Sequence, residues 1–149
     1  MKKFIKNAFY LFLPIILGGL VGWLISGNID YEVLVKPPFA PPKILFPIAW
    51  SIIYILMGIA YFIYRKKSDE INIIYYVQLA VNLLWSIIFF VFKLRFISVL
   101  WIALLDVLVI LTMKSFNKYN SKVSTYLFIP YLIWILFATY LTIGIYILN

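Results

Sequence analysis

Five apolar runs dominate the chain, at about residues 4–25, 44–64, 71–92, 96–113 and 123–148, with short polar segments between them. Each is about 18 residues or longer, the length an α-helix needs to cross about 30 Å of hydrocarbon at a rise of about 1.5 Å per residue. A membrane-spanning strand would run about 10 residues with strict alternation of apolar and polar side chains, and none of the runs alternates. The pattern therefore predicts an all-α, polytopic membrane protein, a five-transmembrane-helix bundle forming one domain over residues 1–149. One connection stands apart. Between the first two runs, at about residues 26–43, Lys36-Pro37-Pro38-Phe39-Ala40-Pro41-Pro42-Lys43 places four prolines in eight residues. Proline fixes φ, has no N–H to donate and pushes the preceding residue out of the helical region, so this segment must be a stiff, shaped loop.

Composition agrees with the pattern, since 66% hydrophobic and 12% charged residues give more apolar surface than a soluble domain of 149 residues can bury. The N-terminus, with Lys2, Lys3 and Lys6 before an apolar run, also resembles the start of a secretory signal. That run is longer than the usual 7–15 residues of a signal core, and no small-residue cleavage site follows it, so a retained first helix is expected. The absence of cysteine excludes disulfides, a lipoprotein anchor and thiolate metal sites, and the absence of histidine removes imidazole chemistry. A net charge of +8 could suggest nucleic acid, but nine of the thirteen basic residues fall at the N-terminus, after the second run and after the fourth. By the positive-inside rule these ends are cytoplasmic, and the proline-rich loop and Asn149 face outward. The charge is thus an orientation signal, and no nucleic-acid partner is expected. There is no nucleotide motif, metal-ligand cluster or nucleophile beside a base, so no soluble-enzyme chemistry is implied.

Tryptophan depth is the next informative feature. Trp23 and Trp101 lie near the outer ends of their helices, as aromatic belts require. Trp50 and Trp85 fall about 10 Å inside, and Trp134 deeper, where an indole N–H needs a partner. Two explanations stand: the three line an internal, outward-facing cavity, or they serve ordinary helix packing. Asn82, Trp85, Ser86 and Phe89 stack on one face of helix 3, Tyr131, Trp134, Ala138 and Leu141 share a face of helix 5, and Trp50 and Tyr54 share a face of helix 2. Asp106 is the only carboxylate within a span. Inserting it ionised costs on the order of 3 kcal/mol, so it is expected to be hydrogen-bonded between helices, protonated or turned to a polar pocket.

Taken in order, the loop Lys36 to Pro42, Pro47-Ile48-Ala49-Trp50, Asn82-Leu83-Leu84-Trp85 with Phe89-Phe90, Leu105-Asp106, and Pro130-Tyr131-Leu132-Ile133-Trp134 with Phe137-Ala138-Thr139 resemble the translocator protein, or tryptophan-rich sensory protein, family. The resemblance runs from about Gly18 to the C-terminus. It implies a five-helix bundle, often dimeric, whose cavity is lidded by the first loop and takes porphyrins or haem-like tetrapyrroles. By position, Trp50, Asn82, Trp85, Trp134, Phe137 and Ala138 would line that cavity, together with Tyr54, Phe89 and Leu141 from the face argument, and Phe39, Pro41 and Pro42 would belong to the lid. Trp50 and Trp134 match residues that bacterial members link to light-dependent breakdown of bound porphyrin. The resemblance also implies residence in a bacterial cytoplasmic membrane.

Three departures qualify the transfer. Phe39 stands where the family often has tryptophan, which keeps an aromatic plug without an N–H. Ser86 replaces a common proline, which predicts that a kink in helix 3 is lost. The cholesterol-associated pattern is incomplete, since Tyr146 is followed only by Ile147, Leu148 and Asn149, and sterol binding is not expected. No cofactor is required by any of these features. Gly18 and Gly22 form a G-x-x-x-G step in helix 1, which suits a homodimer or packing within one bundle. A tetrapyrrole receptor or sensor is the leading expectation. A weak photo-oxidative enzyme, a transporter without visible inverted repeats, and a structural membrane protein are the alternatives.

Overall fold

A computed structural model describes residues 2–149 of the chain. Its five long helices are α1 (Lys2–Ile25), α2 (Leu45–Lys67), α3 (Ile73–Ser86), α4 (Arg95–Lys118) and α5 (Lys122–Leu148). Counting a widened turn that extends α3 to Val91, all five are long and apolar enough to cross a membrane. Two of them outrun the apolar stretches that announce them. The apolar run of α2 ends at about residue 64 and that of α4 at about 113, yet the helices continue to Lys67 and Lys118. Charge ends a hydrophobic run but not a helix, and cations in a last turn favour the negative end of the helix dipole.

Local chemistry fixes the helix starts. Asn72 caps α3 by accepting the Tyr75 N–H at 3.2 Å, and its own amide donates to Ser115 Oγ on α4 at 2.9 Å. Pro47 sits in the first turn of α2, where N–H groups have no intrahelical partner and the missing donor costs little. Helix α3 departs from the straight course expected with Ser86 in place of proline. After Ser86 the backbone ladder slips, Phe92 N–H bonding to the Ile87 carbonyl five residues back at 3.1 Å, and residues Ile87–Val91 form a π-helical turn. Proline is therefore not needed to distort this helix, and the wider turn sets Phe89 and Phe90 side by side.

The helices close a ring in which α1 packs on α2, α2 on α5, α5 on α4, α4 on α3, and α3 returns to α1. Large apolar side chains such as Phe9, Ile16 and Leu20 on α1 and Ile133 and Leu136 on α5 point outward, as a lipid-facing exterior requires. Away from the proline-rich loop the core is crowded with rings: Tyr61 stacks on Tyr75 at 4.1 Å, and Phe116 meets Phe128 edge-on at 5.1 Å. Nearer the middle, a buried polar chain joins three helices. Tyr54 OH donates to Asn82 Oδ1 at 2.6 Å, Asn82 Nδ2 to Tyr131 OH at 2.7 Å, and Tyr131 OH to Gln78 Oε1 at 2.8 Å. Asn82→Leu removes the middle of that chain: the buried Tyr54 hydroxyl loses its acceptor, while Tyr131 OH loses one donor and keeps Gln78. Interhelical hydrogen bonds in membranes average only about 0.6 kcal/mol, so the unmet Tyr54 hydroxyl dominates and the expected loss is about 1–3 kcal/mol. Denaturation in mixed micelles measures it; wild-type stability would show the chain to be redundant.

Candidate ligand-binding chamber

At the loop end of the bundle the helices part around a chamber of about 540 Å³. That is within the range of pockets that take a drug-sized molecule, about 300–1,000 Å³. Its walls are apolar and aromatic. Helix α1 contributes Ile15, Gly18, Gly22 and Ile25, α2 contributes Phe46, Trp50 and Tyr54, α3 contributes Trp85, Phe89 and Phe90, and α5 contributes Ala138, Leu141 and Ile145. Gly18 is required where it stands, because a side chain there would run into the Tyr54 ring. The G-x-x-x-G step is thus used at Gly18 within one bundle, to bring α1 against α2.

Six residues singled out by sequence meet around this chamber: Trp50, Tyr54, Trp85, Phe89, Ala138 and Leu141. Trp50 stacks on Tyr54 at 5.7 Å, and Trp85 on Phe89 at 5.2 Å. Trp85 is 8% exposed and its Nε1 is buried with no protein partner.

Asn82, Trp134 and Phe137 are not on the wall. The Asn82 amide is engaged by Tyr54 and Tyr131 and lies behind Tyr54. Trp134 stands behind Trp50, edge-on at 6.2 Å, with Phe46 at 5.9 Å. Phe137 packs between Trp134 and Tyr140. Asp106 is also elsewhere, accepting from the Thr139 hydroxyl at 2.8 Å between α4 and α5.

The loop covers the chamber through different residues from those expected. Tyr31, Glu32, Lys43 and Ile44 reach the wall, whereas Phe39, Pro41 and Pro42 do not. Tyr31 is buried, packs edge-on against Phe46 at 4.9 Å and donates from its hydroxyl to the Pro41 carbonyl at 2.6 Å. Burial raises the Tyr31 pKa above its ordinary value, which keeps the hydroxyl a donor. Three further ties hold the loop. Asp30 pairs with Arg95 at 2.6 Å, Tyr140 OH donates to the Pro38 carbonyl at 2.7 Å, and the Asn149 side chain bonds Val35 N–H at 3.1 Å and Val35 carbonyl at 2.8 Å.

Phe39 points away for a local reason. Ala40 N–H bonds to the Pro37 carbonyl at 3.3 Å, and Phe39 takes φ 68°, so Pro37 to Ala40 form a type II turn with proline second and a left-handed residue third. That position favours glycine, and the phenylalanine ring is left 90% exposed. Phe39→Gly should therefore relieve about 1 kcal/mol of backbone strain without weakening ligand binding. Thermal unfolding and a binding isotherm check the two halves; a large loss of affinity would return Phe39 to the lid.

The five-helix membrane bundle is the arrangement that the sequence motifs anticipate. The model of the TspO/MBR family matches residues 10–148. The chain belongs to this family. Among its relatives, a tryptophan-rich protein TspO of Archaeoglobus fulgidus is 39% identical over 80% of this chain and 79% of its own length. Protein CrtK of Rhodobacter capsulatus is 35% identical over 88% and 85%, and a translocator protein homolog of Schizosaccharomyces pombe is 30% identical over 92% and 88%. As a TspO/MBR member with five spanning helices, the chain is an integral membrane protein of sensor- or receptor-like type. Among the described residues, no group of three or more His, Cys, Asp or Glu could hold a metal ion.

Sequence reasoning missed Tyr31, Gln78, Arg95 and Asn149. Gln78 had a signal, since it lies one helical turn before Asn82 on the same face. The loop ties had none, because they join residues as far apart as Val35 and Asn149.

Proposed function

We propose that this TspO/MBR protein is a membrane receptor whose chamber binds a tetrapyrrole, with the loop on the outer face and the N-terminus in the cytoplasm. The observation that carries the reading is the chamber itself: two stacked aromatic pairs, Trp50–Tyr54 and Trp85–Phe89, line one apolar space sized for a single large ligand. Flat macrocycles gain from such faces, at about 0.5–1.5 kcal/mol per well-placed aromatic contact. The unpartnered Trp85 N–H supplies a donor, and Lys43 at the mouth, with no ion-pair partner among the described residues, supplies a cation for a carboxylate side chain.

Titration of the detergent-solubilised protein with protoporphyrin, followed by tryptophan quenching, tests the reading. Trp50→Leu and Trp85→Leu should each weaken binding about three- to tenfold, and Trp134→Leu less, because Trp134 is one layer back. Saturable binding that ignores both Trp50→Leu and Trp85→Leu would move the site elsewhere, and no binding would remove the tetrapyrrole. The edge-on Trp50–Trp134 pair favours one second reading, light-dependent oxidation of the bound pigment by dioxygen. It requires illuminated turnover that ceases in the Trp50→Phe, Trp134→Phe double variant.

A further inference from the structure

The chamber has a second opening, and it lies in the side of the bundle. Most of its lining on α3 and α5 is buried or half-buried, but Gly19 and Gly22 on α1 and Pro47 and Ser51 on α2 both line the chamber and are exposed. A residue that belongs to a cavity wall and to the outer surface at once stands on a rim. These four face one another across the gap between α1 and α2, two from each helix.

The contact between the two helices changes along their length. At Gly58 and Gly18 the helices touch so closely that a β-carbon would strike the Leu11 carbonyl or the Tyr54 ring. At Gly19, the next residue, and at Gly22, one turn nearer the loop, an added β-carbon would meet nothing within 4 Å. Gly19 precedes the end of α1 by six residues, and Ser51 follows the start of α2 by six. Gly22 and Pro47 lie nearer those ends, so at about 1.5 Å per residue the gap runs from about 3 to about 9 Å below them, and its inner half, at Gly19 and Ser51, reaches into the hydrocarbon.

The way through the loop is obstructed by comparison. Asp30–Arg95, Tyr140–Pro38 and Asn149–Val35 fasten it to α4 and to the end of α5, and Tyr31–Pro41 braces it internally. Behind the side opening stands Trp85, more than nine-tenths buried, whose Nε1 has no protein partner. We infer that the gap between α1 and α2 at Gly19, Gly22, Pro47 and Ser51 is a lateral portal through which an apolar ligand dissolved in the bilayer enters the chamber. The inference rests on the chamber being a ligand site, as proposed above, but not on the ligand being a tetrapyrrole. Apolar molecules of this size partition into the bilayer, so a side portal draws on the phase in which they are concentrated. An amphiphile can slide in body first and leave its charged end at the mouth by Lys43.

Two arms test the portal, both on the full chain in vesicles. In vesicles of phosphatidylcholine brominated midway along an acyl chain, bromine quenches any indole it touches. The emission assigned to Trp50, taken as the difference between wild type and Trp50→Phe, should be quenched. Gly22→Leu, whose side chain enters open space, should relieve most of that quenching, and Gly27→Leu, also in open space but outside the chamber, should not. In the second arm, vesicles preloaded with protoporphyrin are mixed with proteoliposomes. Gly22→Leu should slow both uptake and release by about tenfold. A leucine that only crowded the chamber would speed release instead. Cross-linking Val35→Cys to Asn149→Cys, which clamps the loop, should leave the uptake rate unchanged.

Unrelieved quenching in Gly22→Leu, or uptake stopped by the loop clamp but not by Gly22→Leu, would overturn the portal. Absence of protoporphyrin binding in every variant would sink the tetrapyrrole reading alone, because the bromine arm still decides the portal.

Discussion

Ala138→Phe should abolish ligand binding while leaving the bundle folded. Ala138 lies on the chamber wall where α5 passes Trp85 and Phe89, and it is the smallest side chain that α5 presents there. A phenylalanine adds a ring to a space of about 540 Å³ that a single ligand must fill. In a close-packed core such a substitution costs about 1–3 kcal/mol in overpacking, but here the added volume can turn into unfilled space. The ligand, not the fold, loses its place. Affinity should fall about a hundredfold or more, which is about 2.8 kcal/mol at 1.4 kcal/mol per tenfold change. Isothermal binding of protoporphyrin measures the loss, and thermal unfolding in detergent should stay close to wild type. Ala138→Ser, nearly the same size, should bind normally. Wild-type affinity in Ala138→Phe would mean that the ligand sits outside this chamber.

The effect of Ala138→Phe also separates the two openings from the site they serve. Filling the chamber changes the equilibrium, whereas narrowing the gap at Gly22 changes rates in both directions. Clamping the loop through Val35 and Asn149 tests the remaining route. A receptor with a fastened lid and a lateral portal would sample molecules in the membrane and ignore those in water. The hydrogen bonds of Asn149 and Tyr140, contributed by the far end of the chain, would then serve to keep the lid shut rather than to open it.

How much of this was legible in the sequence differs from residue to residue. The five spans were legible because length and apolarity are what a bilayer demands, and only the charged ends of α2 and α4, where helix continues into the interface, were underestimated. That Trp50 shares a face with Tyr54, and Trp85 with Phe89, was legible from i, i+4 spacing, whereas the meeting of those two faces was implied only by the family resemblance. The place of Trp134 was not legible, since α5 is apolar on nearly every face and its rotation is set by packing rather than by amphipathic pattern. Phe39 misled because composition says aromatic while the turn decides direction: a left-handed backbone at that position swings the ring outward. The π-helical turn after Ser86 was illegible for a related reason, as a slipped ladder needs no particular residue to mark it.

Gly58→Ala should be the most damaging single methyl group in the protein. Gly58 is buried on α2, and an added β-carbon would strike the backbone of α1 at the Leu11 carbonyl. A flexible side chain could swing aside, but a carbonyl fixed in a helix cannot, so the two helices must separate along the stretch where they are closest. Helix α1 depends on that stretch, because its other neighbour, α3, touches it much less. Overpacking alone costs about 1–3 kcal/mol, and loss of α1–α2 packing adds to it, so the expected destabilisation is about 3 kcal/mol or more. Because Gly18, Gly22 and Ile25 form one wall of the chamber, displacement of α1 should also weaken protoporphyrin binding. Gly19→Ala supplies the comparison, since its β-carbon meets nothing within 4 Å and it should keep wild-type stability. Denaturation in mixed micelles reads the pair. Equal stability of Gly58→Ala and Gly19→Ala would mean that α1 is free to shift away from α2 at no cost, and the close approach of α1 to α2 at Leu11 would then have no part in holding the chamber open.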